Sequence, residues 1–372
     1  MVPRTNDPAL PPSSGLPSLP TPHPAPAPGP TREPTVRTLH RVPASFFGMV
    51  LGVFGLGSAW RYGASIGLVP HWVGEAGVLA GCAVWVVLAA IYAYRVATAW
   101  DGVVAECRNP ATFSFVSLLP AGAILVSVGL HPYVPVVATV LLWLGVVGQL
   151  VFVAVRCAPL WTGTQPLEAT TPALYLPFVA ANFISAIGLG AAGQRQLGYL
   201  FLGAGVISWL TLEPLITHRL RTAAEVAPPA RGVVGVQLAP AFVACYAYLS
   251  VNGGRVDAAA LVLFGYGVLQ LLLFARLWRW VLAAGFTPGL WAFSFGFAAM
   301  ANTGLRIAHS DPDLVVAVVA VAMVVVATAL LLALVVGTVV LLVRGRLVPP
   351  PPVGSASDHV ARAATAGGSS AS

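Results

Sequence analysis

Side chains able to do chemistry are sparse in this sequence, and none of the familiar catalytic spacings is present. His71, His131 and His218 stand far apart, with no HExxH pair to hold a metal and no nucleophile elbow nearby. Cys82, Cys107, Cys157 and Cys245 form no CxxC pair and have no histidine at ligand spacing. Neither a metal site, nor a cofactor, nor a disulfide is therefore expected. Glu213, in Leu212-Glu213-Pro214, is the one acid deep in an apolar run. An ionisable group there is a functional candidate, but its place near the end of its segment favours a structural role, bonded to a helix break or paired with an arginine. Arg306 and His309 close another apolar run and could either gather anions or snorkel at an interface. The stretch Gly289–Gly304, GLWAFSFGFAAMANTG, is of another kind: rings alternate with Gly, Ala and Ser behind Pro288. That mixture suits either the lining of a narrow apolar passage or a packed aromatic core, with Phe293 and Phe295 among its rings.

The elements that must position these residues follow from composition. Of the 372 residues 58% are hydrophobic and 8% are charged, with a mean hydropathy of +0.85. A soluble domain carries about 25% charged residues. The chain is thus an all-α polytopic membrane protein, with the lipid bilayer as its solvent, and a soluble enzyme is excluded. The formal charge of +7 comes entirely from arginine and is no sign of a nucleic-acid partner, because most of it flanks apolar segments.

Ten apolar runs are expected to span, at 44–66, 73–97, 113–130, 134–157, 174–192, 197–218, 234–252, 259–281, 289–309 and 314–343. With the N-terminus inside, 15 arginines fall on the inner side against 4 outside, so both termini are expected in the cytoplasm. The expected location is the inner (plasma) membrane. Residues 1–40 are rich in proline, and 347–372 hold a run of prolines followed by Ser, Ala and Gly. Neither tail can bury a core, and both are expected to be disordered around a channel domain at 41–346.

A repeat organises the spans. Pro43, Pro110, Pro172, Pro229 and Pro288 each open an odd-numbered span, followed by a small residue and, in four of the five, by an aromatic at the third place. The spacings are 67, 62, 57 and 59 residues, and the even spans end on Arg95, Arg156, Arg219, Arg276 and Arg344. Each unit is then a helical hairpin that leaves and returns on one side, and five parallel hairpins can close into a pseudo-five-fold ring. Pro120, Pro177 and Pro240 interrupt the third, fifth and seventh spans. Broken helices need polar rescue, so the odd helices are expected to line a central pore and the even helices to face lipid.

Counting seven residues from each repeat proline gives Val50, Ser117, Val179, Val236 and Phe295. Phe295 is the only ring in that expected layer, and an apolar constriction stops ions by dewetting. The odd spans hold no Asp or Glu, which favours small anions over cations.

The strings GMVLGVFGLGSAW, RNPATFSFVSLLP, YLPFVAANF, LGYLFLGAGVISWLTLEPL, LAPAFVACYAYLSVN and GLWAFSFGFAAMAN closely resemble the tellurite-resistance/dicarboxylate transporter family, which includes the plant guard-cell slow anion channels. The resemblance runs over roughly residues 42 to 345 and leaves out both tails. It implies ten helices in five hairpins, a pore through each subunit of a homotrimer, and a pore-blocking phenylalanine on the ninth helix. That role falls on Phe295 within Phe293-Ser294-Phe295-Gly296. The expected function is a gated channel for small monovalent anions such as chloride or nitrate. The alternative is a secondary transporter or exporter of C4-dicarboxylates or tellurite, as family names suggest. No basic pair in the spans could grip a dicarboxylate, which favours the channel.

Overall fold

A computed structural model describes residues 39–163, 167–310 and 312–348. The two tails expected to be disordered fall almost wholly outside the described residues. Every regular element among the described residues is helical, as the long apolar runs require: no other backbone that spans lipid, short of a closed barrel, satisfies its own polar groups. The α-helices are α1 (Phe47–Ser65), α2 (His71–Thr98), α3 (Trp100–Arg108), α4 (Phe113–Val116), α5 (Leu118–Leu130) and α6 (Pro135–Phe152). They continue as α7 (Ala181–Ala191), α8 (Arg195–Thr222), α9 (Ala239–Val251), α10 (Ala258–Val281), α11 (Ser294–His309) and α12 (Leu314–Val343). Eight helical stretches are long and apolar enough to cross a membrane. The two further spans expected from the sequence correspond to α1, rich in glycine and carrying Arg61, and to α11, with 16 residues.

The odd-span segments begin irregularly, each close to its repeat proline. A 3₁₀ turn at Ala44–Phe46 precedes α1, and a break at Ser117 separates α4 from α5. A 3₁₀ turn at Pro172–Leu174 and a π turn at Leu176–Ala180 precede α7, and 3₁₀ segments at Pro228–Leu238 and Pro288–Phe293 precede α9 and α11. Proline has no N–H to give, so it is tolerated where a helix starts and not where one must continue. Pro120 and Pro240 accordingly stand in the first turns of α5 and α9, and Pro177 lies in the π turn.

Two populations of helix result. In Phe113–Leu130, Pro172–Ala191 and Pro228–Val251, between 72% and 89% of the apolar stretch is buried. In the even-span helices α2, α6, α8, α10 and α12 the share is 22% to 28%. Their outward faces carry exposed Val136, Leu144, Leu200, Ile207, Val262 and Val325, the surface that lipid covers at no cost. The buried helices touch in a closed cycle: α1 against α5, α5 against α7, α7 against α9, α9 against α11, and α11 back against α1. Small residues permit the last contact. A Cβ added at Gly55 would lie 2.5 Å from the Ala298 Cβ, so α1 and α11 approach at backbone distance. Asn302 and Ser294 seal the seam by donating to the Gly55 and Gly48 carbonyls, at 2.9 Å each.

Charged groups gather beside the starts of these inner elements. The Ala44 N–H donates to Glu106 Oε1 at 2.7 Å, and Arg95 pairs with Glu106 at 2.9 Å while donating to the Val42 carbonyl at 2.6 Å. Arg156 donates to the Cys107 carbonyl and lies over the Phe113 ring. Arg231 donates to the Trp280 carbonyl at 3.2 Å. The arginines at the ends of the second and fourth spans thus fasten the segment that opens the next hairpin or the one before it.

Candidate functional site

All five inner elements meet around one cavity of about 30 Å³, room for about two waters at roughly 10–15 Å³ each. Ser45, Gly48 and Leu51 come from the first, Phe115 and Leu118 from the third, and Tyr175, Val179 and Phe183 from the fifth. Val236, Pro240 and Val243 come from the seventh, and Trp291, Ser294 and Phe295 from the ninth. No lining residue carries a charge. Phe295 is 6% exposed and stands one residue into α11, where the 3₁₀ segment gives way to the α-helix.

Of the five positions counted from the repeat prolines, Val179, Val236 and Phe295 line the cavity. Val50 is fully buried but turned away, with Gly48 and Leu51 on the lining instead. Ser117 donates to the Ser114 carbonyl at 2.7 Å, and its neighbours Phe115 and Leu118 face the cavity. The equal count slips because 3₁₀, α and π turns rotate the chain by different angles per residue. The cavity also spans more than that one layer, and Phe115, Tyr175, Phe183 and Trp291 share its wall with Phe295.

Phe293 does not face the cavity. Its ring lies 5.0 Å from Phe274 and 6.0 Å from Trp278, both edge-on, and stacks on Phe297 at 5.7 Å. It also covers Gly235, where a Cβ would collide with it. Residues 293 and 295 are about 200° apart on a helix, so one ring facing the cavity turns the other toward α10.

Glu213, on α8, has no arginine partner among the described residues. Its Oε2 accepts from the Tyr175 hydroxyl at 2.6 Å and from Trp209 Nε1 at 2.9 Å. Its Oε1 accepts from Gln237 Nε2 at 2.8 Å and from the Tyr266 hydroxyl at 3.3 Å. Gln237 donates to the Tyr175 oxygen as well, at 3.2 Å. The carboxylate thus ties α8 and α10 to the irregular starts of the fifth and seventh spans, and Tyr175 links it to the cavity wall. Of the two partners expected from the sequence, a helix break and an arginine, the first is found, although the sequence did not point to these particular donors. Tyr175 did carry a signal, since it fills the aromatic place of the repeat, as does Trp291.

Arg306 and His309 part company. The Arg306 guanidinium lies 4.3 Å from the Tyr62 ring and 5.1 Å from the Tyr246 ring. His309 is exposed and meets Tyr62 edge-on at 6.4 Å. Among the described residues no three His, Cys, Asp or Glu side chains gather to hold a metal ion.

The family described as voltage-dependent anion channel (SLAC1) matches residues 41–339. The chain is also similar to the tellurite resistance protein TehA homolog of Haemophilus influenzae, 41% identical over 271 residues, which is 73% of this chain and 82% of that protein. The family match runs through the helical region from the first inner element into α12, and on it the chain belongs to the voltage-dependent anion channel family, as a multi-pass membrane protein and not an enzyme.

Proposed function

We propose that the chain is a gated channel of the inner membrane for small monovalent anions such as chloride or nitrate, with its pore inside each subunit and Phe295 as the plug. On this reading ten spans form five parallel hairpins, the inner elements line the pore, both termini are cytoplasmic, and three copies assemble. The observation that carries the reading is the cavity to which all five inner elements contribute: apolar, of about 30 Å³, with Phe295 in its wall. A hydrated anion cannot occupy such a volume, and stripping its water without replacement costs many kcal/mol, so this arrangement is shut.

Glu213 supports a channel over a proton-coupled carrier. Both of its oxygens are taken by donors that join helices, and among the described residues no arginine pairs with it. Phe295→Ala is expected to open a constitutive anion leak, read as current in planar bilayers or oocytes. A correctly inserted Phe295→Ala protein with no more current than the parent would rule out the plug.

A further inference from the structure

Beyond Phe295 the inner elements hold a second polar cluster, at the end away from the irregular starts. Asn302 lies seven residues after Phe295 and Arg306 eleven, or about 10 and 16 Å along a helix at 1.5 Å per residue. The Ser58 Oγ of α1 and the Tyr246 hydroxyl of α9 are 3.0 Å apart. Yet α1 and α9 are not packed side by side, because α11 stands between them. The two hydroxyls therefore meet in front of α11, on the face it turns to the middle of the cycle.

Arg306 lies in this cluster, and its bonding is incomplete. Both of its protein hydrogen bonds are made by Nη1, to the Asn302 carbonyl at 3.2 Å and to Asn302 Oδ1 at 3.3 Å. A guanidinium has five N–H donors, and among the described residues Nε and Nη2 have no protein acceptor. Nor has Arg306 a carboxylate partner there, whereas Arg61 pairs with Glu75, Arg95 with Glu106 and Arg231 with Glu225. Two tyrosine rings hold its position by cation–π contact without neutralising it. A fixed guanidinium with its Nε–Nη2 edge uncommitted is the usual receptor for an oxyanion or halide.

We infer that Arg306 forms a binding site for a small inorganic anion in this half of the molecule, and that the Ser58–Tyr246 hydrogen bond beside it narrows the same passage. The function of the bridge rests on the channel reading; the anion site does not. The site would collect anions about 16 Å along the helix from a plug that offers them no polar contact, and the bridge would limit their rate of transfer.

Two measurements test the inference. In the first, the full chain in detergent is titrated with bromide against gluconate at constant ionic strength, and thermal unfolding is followed. Bromide should stabilise the parent, with the midpoint concentration raised about tenfold in Arg306→Gln, the loss of one charge-assisted donor group. Arg306→Lys, which keeps the charge and packing but not the fork, should fall between them. Equal bromide responses in the parent and in both variants would overturn the site. In the second, the unitary chloride conductance of Phe295→Ala is compared with that of Phe295→Ala/Tyr246→Phe, which removes only the bridging hydroxyl. The double variant should conduct more, and equal conductance would overturn the bridge. A silent Phe295→Ala channel would sink the plug and the bridge together, while the bromide response would still decide the anion site.

Discussion

Glu213 accepts four side-chain hydrogen bonds, and removing it would strand all four donors at once. Glu213→Ala is expected to lose about 3 kcal/mol of stability, the scale for charged hydrogen bonds whose donors are left unpaired. Glu213→Gln keeps one acceptor oxygen and should lose less. Thermal unfolding of the purified protein checks both, and two variants as stable as the parent would mean that the network holds nothing. In the Phe295→Ala background Glu213→Gln should still conduct, since the carboxylate acts on helices and not on the permeating ion. Side chains of this sort mark the limit of a sequence at this scale. Phe295 was singled out chiefly by the family resemblance, with the repeat count and its unusual segment in support. Gln237 and Tyr246 did not stand out, because their partners lie 24 and 188 residues away and nothing local announces them.

Among the helices, the contact between α1 and α11 is the most demanding. It depends on glycine, with Gly55 against Ala298 and Gly52 against Ser294 and Trp291. Gly55→Leu would push the two backbones apart, an overpacking that costs at least about 1–3 kcal/mol and here opens the seam of the cycle. The expected result is a protein that aggregates or leaks nonselectively, seen as loss of a symmetric peak on size exclusion or as dye efflux from vesicles. Gly265→Ala, at a position with open space around it, should behave as the parent. The division into buried odd and exposed even helices was legible in the sequence, because prolines, glycines and polar residues cannot sit against lipid while Val and Leu can. The angular register was not. Ser117 and Val50 slipped from the expected layer because the sequence does not say whether a proline will be followed by a 3₁₀, an α or a π turn.

For the whole molecule, on the channel reading, the charge pattern is what would set the ion. The formal net charge is +7, the cavity wall carries no charge, and Arg306 lies near one end of the inner elements. A low-dielectric passage in such a field favours anions. Currents through Phe295→Ala are therefore expected to reverse near the chloride potential in a chloride gradient; reversal near the potassium potential would refute anion selectivity.

The seam between α1 and α11 also bears on how the molecule is made. Ser294 bonds to Gly48 across 246 residues, so the first inner helix must wait in the membrane for nearly the whole chain to be synthesised. Until then the cycle has a gap on one side, and what would become its interior lies open to lipid. The helix that fills the gap is the one that carries Phe295. On the channel reading, therefore, no stage of biogenesis encloses a complete passage without its plug, and a ribosome that stalls early leaves an open arc of helices in the bilayer, not a hole.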